Sequence, residues 1–336
     1  MQKYTAFIGI DVSKSKLDLT LRNEVEILEH QVIENESKEI QSCLKNWTKK
    51  FSISQESTLI CLEHTGRYMH ILLHTLSLKG YAIWVENATV IKRSIGLQRG
   101  KSDKADAHRI AEYAFRYQDK AVLYVPASES LQKLKALETT RNQLVETRKR
   151  LQTELKESES CDIKMVYQLK KKSLNPILKP LDQQIKELEN QMDTIIRDDD
   201  ELKRLTKIMT SVVGVGKVTA TALLIVTQGF TKFDSAKKLA CYCGVVPFEH
   251  SSGSSVRGKT RTSNFANKHL KSLLHLCALS AIRQEGELKE YYQRKVKEGK
   301  KKMVALNAVR NKIIQRIVAC VKNDRIYEKK YHFSLA

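Results

Sequence analysis

The sequence predicts an α/β module with a mixed sheet, followed by long coiled-coil helices and a mainly helical C-terminal part. Three observations carry this. Short apolar and alternating runs fill the first 126 residues, sustained heptad spacing fills 127–205, and residues 206–336 hold apolar helical stretches broken by glycine turns. At 336 residues the chain is long enough for two or three modules.

The elements follow in order. Ala6 to Ile10 is continuously apolar and ends on Asp11, as a buried strand does. Leu17, Leu19 and Leu21 alternate with Asp18, Thr20 and Arg22, predicting a half-buried second strand. A third strand is expected over 25–33, an amphipathic helix over 37–51, a strand over 58–62, a helix over 67–79 and a strand over 82–85. A helix from about Ser102 to Arg116 closes the module, and Pro126 marks its end. Beyond it, Leu137, Leu144 and Leu151 recur in one stretch, and Leu181, Ile185, Leu188, Met192 and Ile195 form an a/d seam in another. Asn175, Pro176 and Pro180 lie between them and disfavour a continuous helix. Two long helices are therefore expected, folding back as a hairpin or pairing with a second protomer, as a spacer or as a dimerisation device. The modules read as 1–126, 127–205 and 206–336.

Charge separates these parts further. Lys and Arg total 59 against 38 Asp and Glu, a formal +21. Residues 1–126 hold 18 basic and 15 acidic side chains, 127–205 hold 16 and 15, and 206–336 hold 25 and 8. A surplus of 17 positive charges in the last third points to a polyanion, and nucleic acid fits best. The longest apolar runs, such as Thr219 to Thr227, are too short for a bilayer, so no membrane is expected. The N-terminus carries no leader pattern. Seven cysteines, odd in number and never spaced C-x-x-C, suggest free thiols in a reducing cytoplasm.

Two basic motifs stand out in the last third. Gly214-Val215-Gly216-Lys217 is a tight turn between apolar helical stretches. It is either a plain helix–helix connection or a backbone cradle for phosphate with Lys217 donating. Ser251-Ser252-Gly253-Ser254-Ser255-Val256-Arg257-Gly258-Lys259-Thr260-Arg261 is either a flexible loop or a row of hydroxyls beside three cations, which a nucleophile aimed at a phosphodiester requires.

Acids carry the remaining chemistry. Asp11 and Glu63 end the first and fourth strands, and Asp103 and Asp106 are three apart on one helix face. Adjacent elements would bring four carboxylates together. Such a set repels itself unless cations sit among its members, and Mg²⁺ or Mn²⁺ with oxygen ligands suits it and suits phosphodiester chemistry. His64 and His108 flank these acids and are expected to support them or to lie at the surface, not to ligate metal.

In sequence, the motifs are Ile8-Gly9-Ile10-Asp11 with Lys14 and Leu17-Asp18, Cys61-Leu62-Glu63-His64-Thr65-Gly66-Arg67-Tyr68, and Lys101-Ser102-Asp103-Lys104-Ala105-Asp106-Ala107. Then come Gly214-Val215-Gly216 and the Ser252 to Gly258 segment. Their order and spacing resemble the DEDD transposases of the insertion-sequence 110 family over nearly the whole chain. The resemblance implies a RuvC-like, ribonuclease-H-fold domain with Asp11, Glu63, Asp103 and Asp106 as Mg²⁺ ligands, a coiled coil, and a C-terminal transposase domain whose nucleophile is Ser252. It also implies a recombinase guided by a noncoding bridge RNA that pairs with donor and target DNA. Such proteins assemble as tetramers, dimers of dimers, in prokaryotic cytoplasm at the nucleoid. Two other classes compete: a RuvC-like metal-dependent junction resolvase without serine chemistry, which leaves the basic third idle, and an architectural nucleic-acid binder, which leaves the acids unexplained.

Overall fold

The computed structural model describes residues 4–94, 96, 102–252 and 256–328. The chain divides into two compact units, 1–126 and 127–336.

The first unit is a three-layer α/β/α module. Its strands are β1 (Ala6–Val12), β2 (Lys16–Arg22), β3 (Ile27–Glu34), β4 (Thr58–Glu63) and β5 (Ala82–Glu86), in the sheet order β3-β2-β1-β4-β5. β1, β2 and β3 form an antiparallel meander, while β4 lies parallel to β1 and β5 parallel to β4. One sheet face packs Ile8, Ile10, Leu17, Leu19, Leu21, Ile60 and Leu62 against α1 (Ser37–Phe51) and α2 (His70–Lys79), with Trp47 fully buried among them. On the other face, Phe7, Leu59, Cys61 and Trp84 meet α3 (Ala88–Ser94) and α4 (Asp103–Arg116).

Gly9 sets the approach of α4. A Cβ there would lie 2.2 Å from Ala111 N and 2.4 Å from Ala107 O, so the helix crosses β1 backbone to backbone. Phe7, Gly9 and Asp11 alternate onto this face. Ser102 caps α4 through its Oγ, which accepts from Ala105 N at 3.2 Å.

One expectation fails here. β2 was read as half-buried, yet both its faces are covered: Asp18, Thr20 and Arg22 are 5%, 0% and 6% exposed. The polar side faces the α4 layer instead of water, and partners there replace solvent. Thr20 Oγ1 and His30 Nδ1 share a hydrogen bond of 3.2 Å, and Arg22 pairs with Glu112 and stacks 4.2 Å from the Phe115 ring centre.

The second unit opens with a helical hairpin, α5 (Glu129–Cys161) and α6 (Lys164–Asp198). Arg141–Glu189, Arg148–Asp182 and Lys170–Glu154 join the two helices at 2.6–3.0 Å. Leu178, Ile185 and Met192 are buried at heptad spacing. The expected break at the prolines is absent. Pro176 and Pro180 sit inside α6, and the chain reverses earlier, at Asp162 and Ile163. The four-residue spacing puts both prolines on one exposed face, so water can satisfy the carbonyls they leave without a donor while Leu178 keeps the seam.

Five further helices follow: α7 (Asp200–Ser211), α8 (Lys217–Thr227), α9 (Ala236–Tyr242), α10 (Lys268–Arg283) and α11 (Glu287–Lys297). The last described helix is α12 (Lys302–Lys322). Leu131, Leu134, Met192 and Ile196 of the hairpin share one core with Leu205, Met209, Leu223, Leu274 and Ile313. Residue 205 therefore falls inside α7 and within a continuous core, and the hairpin does not separate from the C-terminal helices as a third unit. The segment expected as a loop also differs: β6 (Pro247–Ser252) and β7 (Val256–Thr262) pair as an antiparallel hairpin. Among the described residues no helix is long and apolar enough to cross a membrane.

Candidate functional site

Parallel pairing of β1 with β4 puts Ile10 beside Leu62, so Asp11 and Glu63 follow at the same ends of neighbouring strands. α4 brings Asp103 and Asp106 in its first turn, where the positive end of the helix favours them. The result is electrostatic crowding. Burial first, then Asp103, Asp106, Glu63 and Asp18, push the Asp11 carboxyl up to about 6.

Cations hold the periphery of this cluster. Lys16 Nζ donates to Asp103 Oδ2 at 2.8 Å and Arg109 Nη1 to Asp106 Oδ1 at 2.7 Å. Among the described residues no group of three or more His, Cys, Asp and Glu side chains is placed so that it could hold a metal ion as the side chains stand. The chemistry of the set nonetheless fits a hard divalent cation: every donor is an oxygen, and one carboxyl is already hard to ionise beside its like-charged neighbours.

Sequence reasoning passed over Asp18 as a site residue. It stands directly opposite Asp11 in the β1–β2 register, is buried, and lies 3.4 Å from His30 Nε2. Its alternation with leucines was a usable signal of position but not of burial. His30 in turn packs edge-on against His108, ring centres 5.5 Å apart. Burial lowers the pKa of both imidazoles, so they are neutral at pH 7. His64 is exposed.

The other expected site residues belong to the second unit. Ser252 is the last residue of β6 and pairs with Val256 across the hairpin; Ser251 pairs with Arg257, and Arg261 is exposed. Lys101, Gly253, Ser254 and Ser255 lie outside the described residues, as do the side chains of Ser251, Ser252, Arg257 and Lys259. Gly214 has φ +87°, and a Cβ there would lie 2.4 Å from Cys277 O, so packing on α10 alone explains that glycine. Gly216 has open space at its Cα and caps α8. Lys217 Nζ is engaged with Asp193 at 2.6 Å, both groups being exposed.

Comparison with known proteins decides the family. A DEDD transposase model of the IS110 type matches residues 8–158, and the model described as Transposase IS116/IS110/IS902 family matches residues 206–293. The chain belongs to the IS110-type transposases. Its relatives include the pilin gene-inverting protein of Moraxella lacunata, 25% identical over 97% of this chain and 98% of that protein. The insertion element IS110 protein of Streptomyces coelicolor is 30% identical over 47% of this chain and 38% of its own length. Among solved structures, the RuvC of T. thermophilus in complex with a Holliday junction substrate covers 36% of this chain and 100% of itself, at 14% identity and a TM-score of 0.28. As an IS110-type transposase the chain is a DNA transposase or recombinase, with its acids on the sheet–helix module and its serine segment in the second family match.

Proposed function

We propose that this transposase cuts and rejoins DNA strands with Mg²⁺, or Mn²⁺, held by Asp11, Glu63, Asp103 and Asp106, and with Ser252 as a nucleophile that forms a covalent phosphoserine. The observation that carries the reading is the convergence of four carboxylates from β1, β4 and α4, close enough that three of them raise the pKa of the fourth. A bound divalent ion would supply charge neutralisation on phosphate oxygens. The chain's own residues do the rest. The Ser252 oxygen bonds to phosphorus as a DNA oxygen departs, and rejoining reverses this with the hydroxyl of another strand. Arg257, Lys259 and Arg261 neutralise charge growing on the phosphorane, Arg257 offering a planar fork to two oxygens. Gly214, Gly216 and Lys217 contact the backbone of the nucleic acid, Lys217 exchanging Asp193 for phosphate.

The surplus of basic side chains in residues 206–336 supports nucleic acid as the ligand, donor and target DNA with a bridge RNA in this reading; a homotetramer acting at the nucleoid is what the family resemblance adds. Trapping the covalent complex tests the chemistry. Ser252→Ala is expected to remove both recombination and the DNA adduct, while Ser251→Ala, Ser254→Ala and Ser255→Ala keep the adduct. Metal-dependent cleavage with no protein–DNA adduct in the unaltered protein would establish hydrolysis, the chemistry of a junction resolvase.

A further inference from the structure

Lys16 occupies a position that the proposed chemistry does not use. The turn between β1 and β2 anchors its backbone: Ser13 Oγ donates to Lys16 O at 2.7 Å and accepts from Lys16 N at 3.3 Å. From there the side chain reaches the rim of the acid cluster. Its ammonium stands between two carboxylates, 2.8 Å from Asp103 Oδ2 and 3.7 Å from Asp18 Oδ2.

The two acceptors differ in kind. The Asp103 side chain is 53% exposed, on the first turn of α4, whereas that of Asp18 is 6% exposed, inside the sheet–helix layer and beside His30. An ion pair as exposed as Lys16–Asp103 is weak and breaks at little cost. Asp18 is already in place to receive the ammonium, and a lysine stem swings between such sites by rotating single bonds. Meanwhile Asp11, Glu63, Asp103 and Asp106 gather like charges at adjoining strand ends and the first turn of α4, and a cation at their rim offsets part of that repulsion.

We propose that Lys16 is a resident counter-cation of the acidic site, which gives up Asp103 to an incoming divalent ion and pairs with Asp18 instead. The inference rests on the reading of the four carboxylates as metal ligands. Lys16 thereby competes with metal, keeps the cluster partly neutral before metal arrives, and stays within the site afterwards. Asp18 is a positioning residue for that lysine.

Binding of Mn²⁺ to the full-length protein without nucleic acid, followed by electron paramagnetic resonance of the free ion, tests the inference. Asp11→Asn serves as the control for the site. Removing the competing charge in Lys16→Met tightens the Asp11-dependent Kd by about three- to tenfold, while Lys16→Arg keeps it near that of the unaltered protein. Asp18→Asn weakens binding more when Lys16 is present than in the Lys16→Met background, because only then is a receiving carboxylate lost. Melting temperatures in EDTA show whether each variant is folded. If Asp11→Asn abolishes binding and Lys16→Met leaves Kd unchanged or weaker, the role of Lys16 is overturned alone. Equal losses from Asp18→Asn in both backgrounds remove Asp18 from the exchange. Should Asp11→Asn bind Mn²⁺ like the unaltered protein, the carboxylate reading falls and the lysine's role falls with it.

Discussion

The acid cluster and the serine hairpin are built on different principles. Two of the acids stand at strand ends of a five-stranded sheet covered on both faces and two on the first turn of α4, which touches β1 backbone to backbone at Gly9. The hairpin has two strands, with Phe248 48% exposed near its base and Gly258, Thr260 and Arg261 exposed along β7. A two-stranded hairpin is marginal by itself in water, whereas a covered sheet holds side chains to fractions of an ångström. Charges that repel one another need the rigid frame. A basic strand that meets a polyanion can complete its surroundings with the ligand.

The largest effect that sharpens this contrast is catalytic. Asp11→Ala, Glu63→Ala, Asp103→Ala and Asp106→Ala are each expected to lower strand cleavage about a thousandfold or more, equivalent to about 4 kcal/mol, with nucleic-acid binding largely retained in gel-shift titration. Cleavage by the Asp11 variant in Mg²⁺ at the unaltered rate would break the assignment. Next in size is Gly9→Ala. Its methyl group meets backbone atoms at 2.2 and 2.4 Å, so α4 must move or the fold must loosen, at a cost of about 3 kcal/mol in denaturant titration. A comparable glycine substitution at Gly258, on the exposed strand, is expected to cost under about 1 kcal/mol.

A smaller effect has the opposite sign. The folded state raises the Asp11 carboxyl from 3.8 to about 6, so ionisation opposes folding. The cost grows as pH rises from about 4 to about 6 and is complete above that. In EDTA at pH 7.5, Asp11→Asn should therefore stabilise the protein by about 1 kcal/mol after allowing for solvent screening, and the difference should vanish at pH 4. No stabilisation at pH 7.5 would mean that the acids do not strain the site. Smallest is the response at the hairpin. Arg261→Ala is expected to reduce the slope of log affinity against log salt by about 0.9, the share of one phosphate contact. An unchanged slope removes Arg261 from the nucleic-acid surface.

How far the sequence disclosed this molecule varied with the physical question. Strand ends carrying Asp11 and Glu63 were legible because apolar runs fix β1 and β4, and Ser102 with Asp103 and Asp106 marks a helix start. Asp18 was not, because a buried polar stripe and a solvated one have the same alternation; only His30 and the α4 layer, brought in from elsewhere, distinguish them. The prolines of α6 misled because their cost depends on which face they occupy, and a local pattern does not show what lies opposite. β6 and β7 were hidden by serine, glycine and lysine, residues that disfavour strands unless a partner strand supplies the hydrogen bonds.

The helical hairpin of the second unit has a consequence of length. α5 has 33 residues, about 50 Å at 1.5 Å per residue, and its first turns are embedded in the C-terminal core through Leu131 and Leu134. Its far end, where Ile163 and Met165 are 68% and 67% exposed, is consequently a ruler mark set by residue count. Removing seven residues from each helix shortens that ruler by about 10 Å and leaves the tip facing nearly the same way, because the seam repeats every seven. Removing two or five residues from each helix instead turns the tip toward the opposite side, because each residue carries about 100° of rotation. Reach and direction are thus encoded separately, one in the number of heptads and the other in their phase.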